Sequence, residues 1–242
     1  KEAKEHAILQ NLDTSFQKID ELPFDFERRR MSVIVKDDSN VVSMVTKGAL
    51  EEMLTISTHV EYRGEIIPIT EGIRQEVLAE VGQLNRQGLR VLGVGYKSGL
   101  REDYAYAVTD ESDMILTGYL AFLDPPKPSA APAIQALLEH GVRTKILTGD
   151  NEKVTQAICE KVGLDVEQML LGADIDQMTD QELAEAVESV TVFAKLSPDQ
   201  KARIILQLKK NGHAVGYMGD GINDAPSMKV ADVGISVDTA VD

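Results

Sequence analysis

The fold is decided by one stretch of this sequence, Tyr217-Met218-Gly219-Asp220-Gly221-Ile222-Asn223-Asp224-Ala225-Pro226. The apolar run before it, residues 214–218, is long enough for one buried strand and too short for most helices. Glycines on both sides of Asp220 allow a tight turn and a close approach of the backbone to a ligand. Asp220 and Asp224 then lie at the carboxyl end of a strand, where open α/β sheets bind their ligands.

Two interpretations of this loop stay open when it is considered alone. Carboxylate and amide oxygens suit Mg²⁺ held together with a phosphate. The alternative is an acidic turn after a strand, stabilised by local Asx hydrogen bonds. Asn223, Asp224 and Pro226 at fixed positions after Asp220 favour the metal loop.

Composition limits the class of protein. The chain has 242 residues, enough for one or two domains, and 25 Lys plus Arg against 40 Asp plus Glu give a net charge of −15. This charge disfavours nucleic acid and anionic lipid as general partners. No apolar stretch approaches a membrane-spanning length, so we expect no direct membrane insertion of these residues. The lone Cys159, at helical spacing with apolar neighbours, is expected to be a buried small hydrophobe and not a nucleophile.

Residues 1–118 are predicted to form an α+β domain with a mixed antiparallel sheet. Two β-branched runs across a polar turn indicate a hairpin, and Thr70 and Gly88 mark the two ends of a helix. The predicted elements are a weak helix within 1–20, strands 31–35 and 41–46, a helix 49–56, a hairpin of 60–62 with 66–67, a helix 70–87, and strands 90–96 and 114–123.

Residues 119–242 are predicted to form a second, α/β domain. Three prolines within 124–128 make a stiff connection to it. Beyond them strands and helices alternate, which favours βαβ units and a parallel, Rossmann-like sheet. The predicted strands are 142–147, 192–194, 214–218 and 233–235, and the predicted helices cover 129–140 and 152–162, begin at the capping box 179–182 and at Ser197, and include a short one at Ala225.

Two further segments could contact an anion. Thr148-Gly149-Asp150-Asn151 follows a predicted strand and precedes a helix, where a hydroxyl and unpaired amides favour phosphate; an ordinary capped turn is the alternative. Lys201 falls at the end of the first helical turn after Ser197, where it could neutralise a phosphoryl oxygen or simply be solvated. Gln200 is predicted to complete a capping box with Ser197.

Taken together, these segments resemble a known family. Their order is that of the haloacid-dehalogenase-type fold, in which a carboxylate nucleophile, a hydroxyl, a lysine and a metal-binding acid pair converge. Asp124-Pro125-Pro126, Thr148-Gly149-Asp150 and the stretch 219–226 look like the phosphorylation-domain motifs of P-type cation-transporting ATPases, and Lys47-Gly48-Ala49 resembles their nucleotide-domain motif. The resemblance spans nearly the whole chain, and between the motifs it is greatest to the bacterial magnesium-transporting branch.

The resemblance implies that residues 1–118 are a nucleotide-binding domain for ATP, possibly without its first elements. Phe24 matches the aromatic residue on which the family stacks adenine, with core packing as the alternative. The basic residues Arg29 and Arg90 match positions near the nucleotide phosphates, with a surface ion pair as the alternative for each. Lys47 would place a cation beside Gly48, whose missing side chain leaves room for a nucleotide against the backbone.

The resemblance also implies roles for residues 119–242 as a phosphorylation domain with Mg²⁺. Thr148 and Lys201 would stabilise the transferred phosphoryl group. Asp220 and Asp224 would be the metal-binding acids, with Asn223 and Asp224 also holding that loop. Asp124, Gly149 and Asp150 would organise the hinge and the metal–phosphate region. The family's phosphorylated Asp lies in an Asp-Lys-Thr-Gly-Thr segment that does not occur in this sequence.

We therefore expect a cytosolic fragment of an ATP-driven membrane pump that imports Mg²⁺, inactive by itself. Its partners would be ATP and the remainder of the pump: the actuator domain, the membrane helices and the Asp-bearing segment, at the cytoplasmic face of a bacterial membrane. The alternatives are a pump for another divalent cation such as Ca²⁺, a soluble phosphatase of the same fold, and a nucleotide-binding module. Gln200 departs from the His that many relatives have before the lysine.

Overall fold

A computed structural model describes residues 15–221 and 224–241, which separate into two units. Unit 1 contains the described residues up to Leu84 together with Arg90–Phe122. Unit 2 contains Asn85–Leu89 and the described residues from Leu123 onward. In the part of the chain that the structure describes, no helix is both long and apolar enough to cross a bilayer.

Unit 1 is built on one seven-stranded, mostly antiparallel sheet in the order β1-β2-β3-β6-β7-β4-β5. Within it, β4 runs parallel to β7. The strands are β1 (Phe16–Asp25), β2 (Arg30–Asp37), β3 (Val42–Ala49), β4 (Ser57–Tyr62), β5 (Glu65–Pro68), β6 (Leu89–Ser98) and β7 (Met114–Leu123), and the helices are α1 (Leu50–Ile56) and α2 (Glu71–Arg86). A single 3₁₀ turn, Val108–Asp110, precedes β7.

One face of this sheet is buried and the other is more open. Alternation along β2 and β3 places Ile34 and Met44 in the core, where both are 0% exposed. Helices α1 and α2 contribute a second apolar cluster that includes Met53 and Val81. Lys47 and Val45, between the buried positions of β3, are exposed on the opposite face.

The predicted hairpins and helices of unit 1 are confirmed, but the weak N-terminal helix is wrong for the residues that the structure describes. Phe16–Asp25 is a strand that pairs with β2. Its register shifts twice, between Lys18 and Asp20 and between Leu22 and Asp25. These irregularities interrupt the period of two, so the sequence shows no clean strand pattern.

Unit 2 contains parallel strands and covering helices. One sheet has the order β8-β10-β9, and a second pairs β11 with β12. The strands are β8 (Ile146–Leu147), β9 (Met169–Leu171), β10 (Val192–Ala194), β11 (Gly216–Gly221) and β12 (Val233–Val241), and the helices are α3 (Ala130–Glu139), α4 (Glu152–Lys161), α5 (Gly172–Gln177), α6 (Asp180–Ser189), α7 (Pro198–Lys210) and α8 (Ala225–Val230).

The predicted helix caps and the predicted burial of Cys159 in unit 2 are confirmed. The capping boxes at Thr179 and Ser197 are both formed, each with the side chain of the third helical residue bonded back to the cap. Cys159 is 2% exposed, and burial raises the pKa of its thiol, as expected for a packing residue. Phe193 and Ile204 are fully buried in the main apolar cluster.

Several elements of unit 2 differ from the sequence prediction. Strand β11 covers Gly216–Gly221 and not 214–218, because β12 provides backbone partners for Gly219 and Gly221, which were predicted to lie in a loop. Met218, predicted to be buried in this strand, is 66% exposed. Strand β12 covers Val233–Val241 and not only 233–235.

Strand β8 covers only Ile146–Leu147 of the predicted 142–147, because Val142 and Arg143 are exposed and pair with no strand. Strand β9 and helix α5 were not predicted, since three strand residues followed directly by a short helix give too little periodicity.

Candidate functional site

The first candidate site lies in unit 1 and begins with Phe24, near the end of β1. Its side chain is 52% exposed, and that of Phe26 is 38% exposed. The two rings meet edge to face, with centroids 5.1 Å apart and planes at 87°. Neither ring belongs to the buried core, so the core-packing alternative fails for both. An exposed aromatic face supported by a second ring suits stacking against a flat base.

The turn after Phe24 is held by local hydrogen bonds. Asp25 Oδ1 accepts the backbone N–H groups of Glu27 at 2.7 Å and Arg28 at 2.9 Å. The second of these bonds is the main cause of the lowered pKa of Asp25. The N–H of Arg29 donates to the Asp25 carbonyl at 2.7 Å, and Arg29 adopts a left-handed φ of 49°. The backbone of Arg29 is therefore held in an ordered turn, where this residue is half-buried.

Gly48 brings strand β3 against this turn. A Cβ on Gly48 would lie 2.5 Å from Arg30 Cβ and 2.7 Å from the Arg29 carbonyl oxygen. The N–H of Ala49 donates to that same oxygen at 3.0 Å. The sequence predicts that Gly48 leaves room for a nucleotide, and this stays a prediction. The described structure shows that the glycine also allows close contact between the two backbones, with Lys47 exposed on the other face.

The register of the sheet brings the predicted binding residues to one end of it. Lys47 pairs with Met31 on β2 and with Val94 on β6. Arg90 precedes Val94 by four residues on β6, so alternation places it on the same exposed face. Phe24 lies at this end too, because β1 ends where β2 begins. An aromatic ring and three cationic side chains thus belong to one region.

An apolar surface lies between these cations, and the sequence analysis did not identify it. Met31, Leu92 and Val94 share the exposed face by register, and Leu92 is 36% exposed. Their period-two pattern could have revealed the surface, but only once the strand pairing was known.

Glu111 is the second feature that the sequence analysis missed. Its side chain is 0% exposed and accepts hydrogen bonds from Arg28 Nη1, Arg30 Nε and Ser32 Oγ, each at 2.7 Å. Ser32 Oγ also lies 2.8 Å from Thr46 Oγ1. Two of the three consecutive arginines therefore find their anionic counterpart in a buried carboxylate that is distant in sequence.

Opposing effects determine the ionisation of Glu111. Burial raises the pKa of this carboxyl, but hydrogen bonds from Arg28, Ser32 and Arg30 outweigh it, so the pKa lies below its ordinary value of 4.5. The network therefore stabilises the fold above that ordinary value and loses this contribution as the pH falls through the lowered pKa.

The second candidate site lies in unit 2, where loops at the ends of β8 and β10 are joined. The N–H of Thr148 donates to the Phe193 carbonyl, and the N–H of Leu196 donates to the Thr148 carbonyl, both at 3.0 Å. Thr148 Oγ1 accepts the N–H of Asp150 at 3.1 Å. The hydroxyl of Thr148 thus lies at the carboxyl end of the sheet, beside the start of α7.

Lys201, in the first turns of α7, contacts the acidic loop. Its Nζ lies 2.8 Å from Asp224 Oδ1, and the hydroxyl of Tyr217 donates to the same oxygen at 2.6 Å. Asp224 is 8% exposed and Tyr217 is 9% exposed. The predicted lysine and acid are therefore brought together, with a tyrosine that the sequence analysis had counted only as part of a strand.

Gly219 makes this arrangement possible, because a Cβ at that position would lie 2.6 Å from both Cβ and Oδ2 of Asp224. Asp220 lies in β11, and Asn223 falls outside the described residues. Among the side chains that the structure describes, no three acidic, histidine or cysteine groups converge as a metal site. The oxygen donor of Asp224 suits Mg²⁺ chemically, but this oxygen is paired with Lys201.

The remaining predicted residues lie along the connection and the first loop of unit 2. Asp124 directly follows β7 and is exposed, and Gly149 is exposed beside the half-buried Asp150. The N–H of Lys195 donates to the Asp150 carbonyl at 2.8 Å, so the backbone of Asp150 joins the two loops.

Comparison with known proteins places this architecture in a family. Residues 2–129 match the family model described as the P-type ATPase, cytoplasmic domain N. The chain belongs to the P-type ATPase family. The large, mostly antiparallel sheet of unit 1 is consistent with that domain of a P-type ATPase.

The individual proteins that this chain resembles are also P-type ATPases. The chain is 50% identical over 241 residues to a magnesium-transporting ATPase, P-type 1, of Salmonella typhimurium, covering 100% of this chain and 27% of the relative. The corresponding protein of Escherichia coli K12 is 48% identical with the same coverage. A calcium-transporting ATPase 1 of Bacillus cereus is 34% identical over 232 residues, covering 93% of this chain and 26% of the relative.

The chain thus spans about a quarter of the length of these curated P-type ATPase relatives. Its greater identity to the magnesium-transporting relatives than to the calcium-transporting one agrees with the branch that the motifs indicated.

Proposed function

We propose that this chain is the ATP-binding and phosphorylation part of a P-type pump that imports Mg²⁺. The observation that supports it best is the convergence of Phe24, Arg29, Lys47 and Arg90 at one end of the unit 1 sheet. In this proposal, unit 1 corresponds to the nucleotide-binding domain, residues 1–118. Unit 2 corresponds to the phosphorylation domain, residues 119–242.

ATP would lie against the exposed face of the sheet. The ring of Phe24 would stack on adenine, and the apolar surface of Met31 and Leu92 would contact the opposite side of the nucleoside. Lys47, Arg29 and Arg90 would neutralise the phosphates, whose negative charge is otherwise repelled by a chain with a net charge of −15.

Unit 2 would contain the phosphoryl-transfer site of a haloacid-dehalogenase-type fold. Thr148 and Lys201 would donate hydrogen bonds to the oxygens of the transferred group, and the amide of Gly149 would contact them. Asp150 would join the two loops, and Asp124 would organise the hinge. Support comes from the carboxyl ends of parallel strands, where these loops lie.

Mg²⁺ would be held by Asp220 with the phosphate oxygens, while Asn223 and Asp224 hold the loop. Bound there, the ion would withdraw negative charge from the phosphate. Lys201 would have to exchange its 2.8 Å contact with Asp224 for one with phosphate. We therefore expect the 242-residue chain to bind Mg²⁺ weakly in the absence of other ligands.

The nucleophile would come from an Asp-Lys-Thr-Gly-Thr segment of the same protein. This segment does not occur among the 242 residues, so the covalent step is expected to be absent from this polypeptide. In the described sheet of unit 2, β10 lies between β8 and β9, so β8 offers an edge to which a further strand could add.

Calorimetric titration of the 242-residue chain with ATP tests the nucleotide site. We expect binding that Phe24→Ala weakens by about 1–3 kcal/mol, the worth of one base–aromatic stack. Phe16→Ala is the matched control, because Phe16 is similarly exposed on the same strand but at its other end. The proposal fails if the parent does not bind ATP, or if both variants bind it equally.

Transport measurements on the full-length pump test the ion. Uptake of Mg²⁺ that depends on ATP and disappears with Lys201→Ala is expected, and transport of Ca²⁺ in place of Mg²⁺ would favour the calcium alternative. Phosphate release from ATP by the purified 242-residue chain, at a rate that Lys201→Ala abolishes, would contradict the predicted inactivity.

A further inference from the structure

We propose that Glu111 is the positioning residue of the ATP site: it holds residues 24–30 in the conformation that displays Phe24 and Arg29. The inference rests on the proposed nucleotide function of unit 1. It assigns to a buried carboxylate, which no nucleotide could touch, control over the affinity of the exposed site.

Glu111 connects two segments that are distant in the sequence. Arg28 Nη1 contacts both oxygens of Glu111 at 2.7 Å, and Arg30 Nε contacts Oε2 at 2.7 Å. Glu111 lies 83 residues after Arg28, between the 3₁₀ turn and β7. A single side chain thus connects the β1–β2 turn to the segment that precedes β7.

Arg28 extends this network to the backbone beside Phe24. Arg28 Nη2 donates to the carbonyl of Pro23 at 2.7 Å, and Pro23 directly precedes Phe24. The same guanidinium therefore bonds Glu111 with one nitrogen and the backbone beside the aromatic ring with the other. If the carboxylate is removed, the fork loses its fixed orientation, and the backbone at Phe24 loses its anchor.

The same network fixes the backbone on both sides of Arg29. In the sequence Arg28-Arg29-Arg30, the two outer side chains are directed to Glu111 and are only 15% and 12% exposed. The middle residue adopts a left-handed φ of 49°. Because Arg28 and Arg30 are held by Glu111, the Cα position of Arg29 between them is fixed. This position would determine where the Arg29 guanidinium contacts a phosphate.

The principal test replaces Glu111 with Gln, which preserves the shape and removes the charge. Titration of the 242-residue chain with ATP, at a temperature where circular dichroism shows the variant folded, should show about tenfold weaker binding, equivalent to about 1.4 kcal/mol. Val81→Ala is the control for stability, because it truncates a 2% exposed core residue on α2. It should leave ATP affinity unchanged when folded.

A mutant cycle separates positioning from general destabilisation. If Glu111 acts through the turn, Glu111→Gln should change ATP affinity by less than about threefold once Phe24 and Arg29 are both already Ala. An undiminished tenfold loss in that double-Ala background would overturn the proposal. So would parent-like ATP binding by folded Glu111→Gln, or an equal loss in Val81→Ala.

Two further measurements apply if Glu111→Gln does not fold or if the parent does not bind ATP. If Glu111→Gln does not fold, Ser32→Ala removes one donor and no charge, and should still weaken ATP binding; unchanged binding would count against the proposal. If the parent binds no ATP, the proposed function fails, but the inference is still tested by the NMR signals of Phe24 and Arg29. Glu111→Gln must shift them, and Val81→Ala must not.

Discussion

The two candidate sites of this chain are held in opposite ways. In unit 1, Lys47 and Arg90, which we propose bind ATP, lie on an exposed sheet face, whereas the proposed positioning residue Glu111, paired with Arg28 and Arg30, is fully buried. In unit 2, two residues proposed for the phosphoryl-transfer site contact each other, because Lys201 pairs with Asp224 at 2.8 Å. In these proposals the ligand residues of unit 1 are supported by a separate network, whereas those of unit 2 are partners of one another.

This difference has a chemical consequence. A ligand that binds a preorganised surface needs less free energy to order the residues that it contacts, which reduces the cost of association. A phosphate arriving at Lys201 must compete with the carboxylate of Asp224, and a metal ion arriving at Asp224 must compete with the lysine. Unit 1 is therefore expected to bind its ligand by itself, and unit 2 only when nucleotide, metal and nucleophile arrive together.

The largest expected effect comes from matched truncations of the two cores. Met44→Ala in unit 1 and Ile204→Ala in unit 2 each remove a side chain that is 0% exposed. Each should lower the free energy of unfolding by about 2–5 kcal/mol in denaturant titrations. ATP should oppose the unfolding caused by Met44→Ala more than that caused by Ile204→Ala. Equal protection of both variants would argue against a nucleotide site built in unit 1.

A pair of glycine substitutions tests how each site is supported. Gly48→Ala forces a Cβ against the backbone of Arg29 and Arg30, and should cost about 1–3 kcal/mol and weaken ATP binding. Gly219→Ala would bring a Cβ to 2.6 Å from both Cβ and Oδ2 of Asp224, and should leave ATP affinity unchanged while shifting the NMR signal of the Lys201 ammonium. Weaker ATP binding in the Gly219 variant would contradict the separation of the two sites.

Capping residues offer a smaller effect. Ser197→Ala removes the cap of α7 and should lower stability by about 1 kcal/mol without changing ATP affinity. Asp25→Ala removes the acceptor for two N–H groups of the nucleotide turn, and should weaken ATP binding. Thermal unfolding and ATP titration of both variants measure these effects. Weaker ATP binding in Ser197→Ala but not in Asp25→Ala would contradict the assignment of the nucleotide site to unit 1.

The smallest expected effects come from single ring and hydroxyl contacts. Phe26→Leu removes the edge-to-face contact with Phe24, worth about 0.5–1.5 kcal/mol, and should weaken ATP binding slightly. Tyr217→Phe removes one hydrogen bond to Asp224, worth about 0.5–1.5 kcal/mol, and should lower only stability. Calorimetry with ATP should show unchanged affinity for Tyr217→Phe. A changed affinity would contradict the assignment of the nucleotide site to unit 1.

Much of the local structure followed from the sequence. The hairpin of β4 and β5 was predicted, and its turn has positive φ at Arg63 and Gly64, 54° and 84°, as a two-residue hairpin loop requires. The helix caps at Thr179 and Ser197 were also predicted, since capping depends on residues three positions apart. Strand β1 was not, because its two register shifts hide the alternation that identifies a strand.

In the stretch 217–226, some features were determined by the sequence alone and others only by the tertiary structure. By itself the sequence determined that a strand leads into this glycine-rich acidic stretch, because hydrophobic periodicity and glycine freedom act over a few residues. The continuation of β11 through Gly219 and Asp220 to Gly221 was decided only by the tertiary structure, because β12 provides backbone partners there. Only the tertiary structure decided that Asp224 pairs with Lys201, and that Glu111 gathers Arg28 and Arg30 from across 83 residues of chain. Charges select partners by distance in space and by burial, which sequence spacing does not encode.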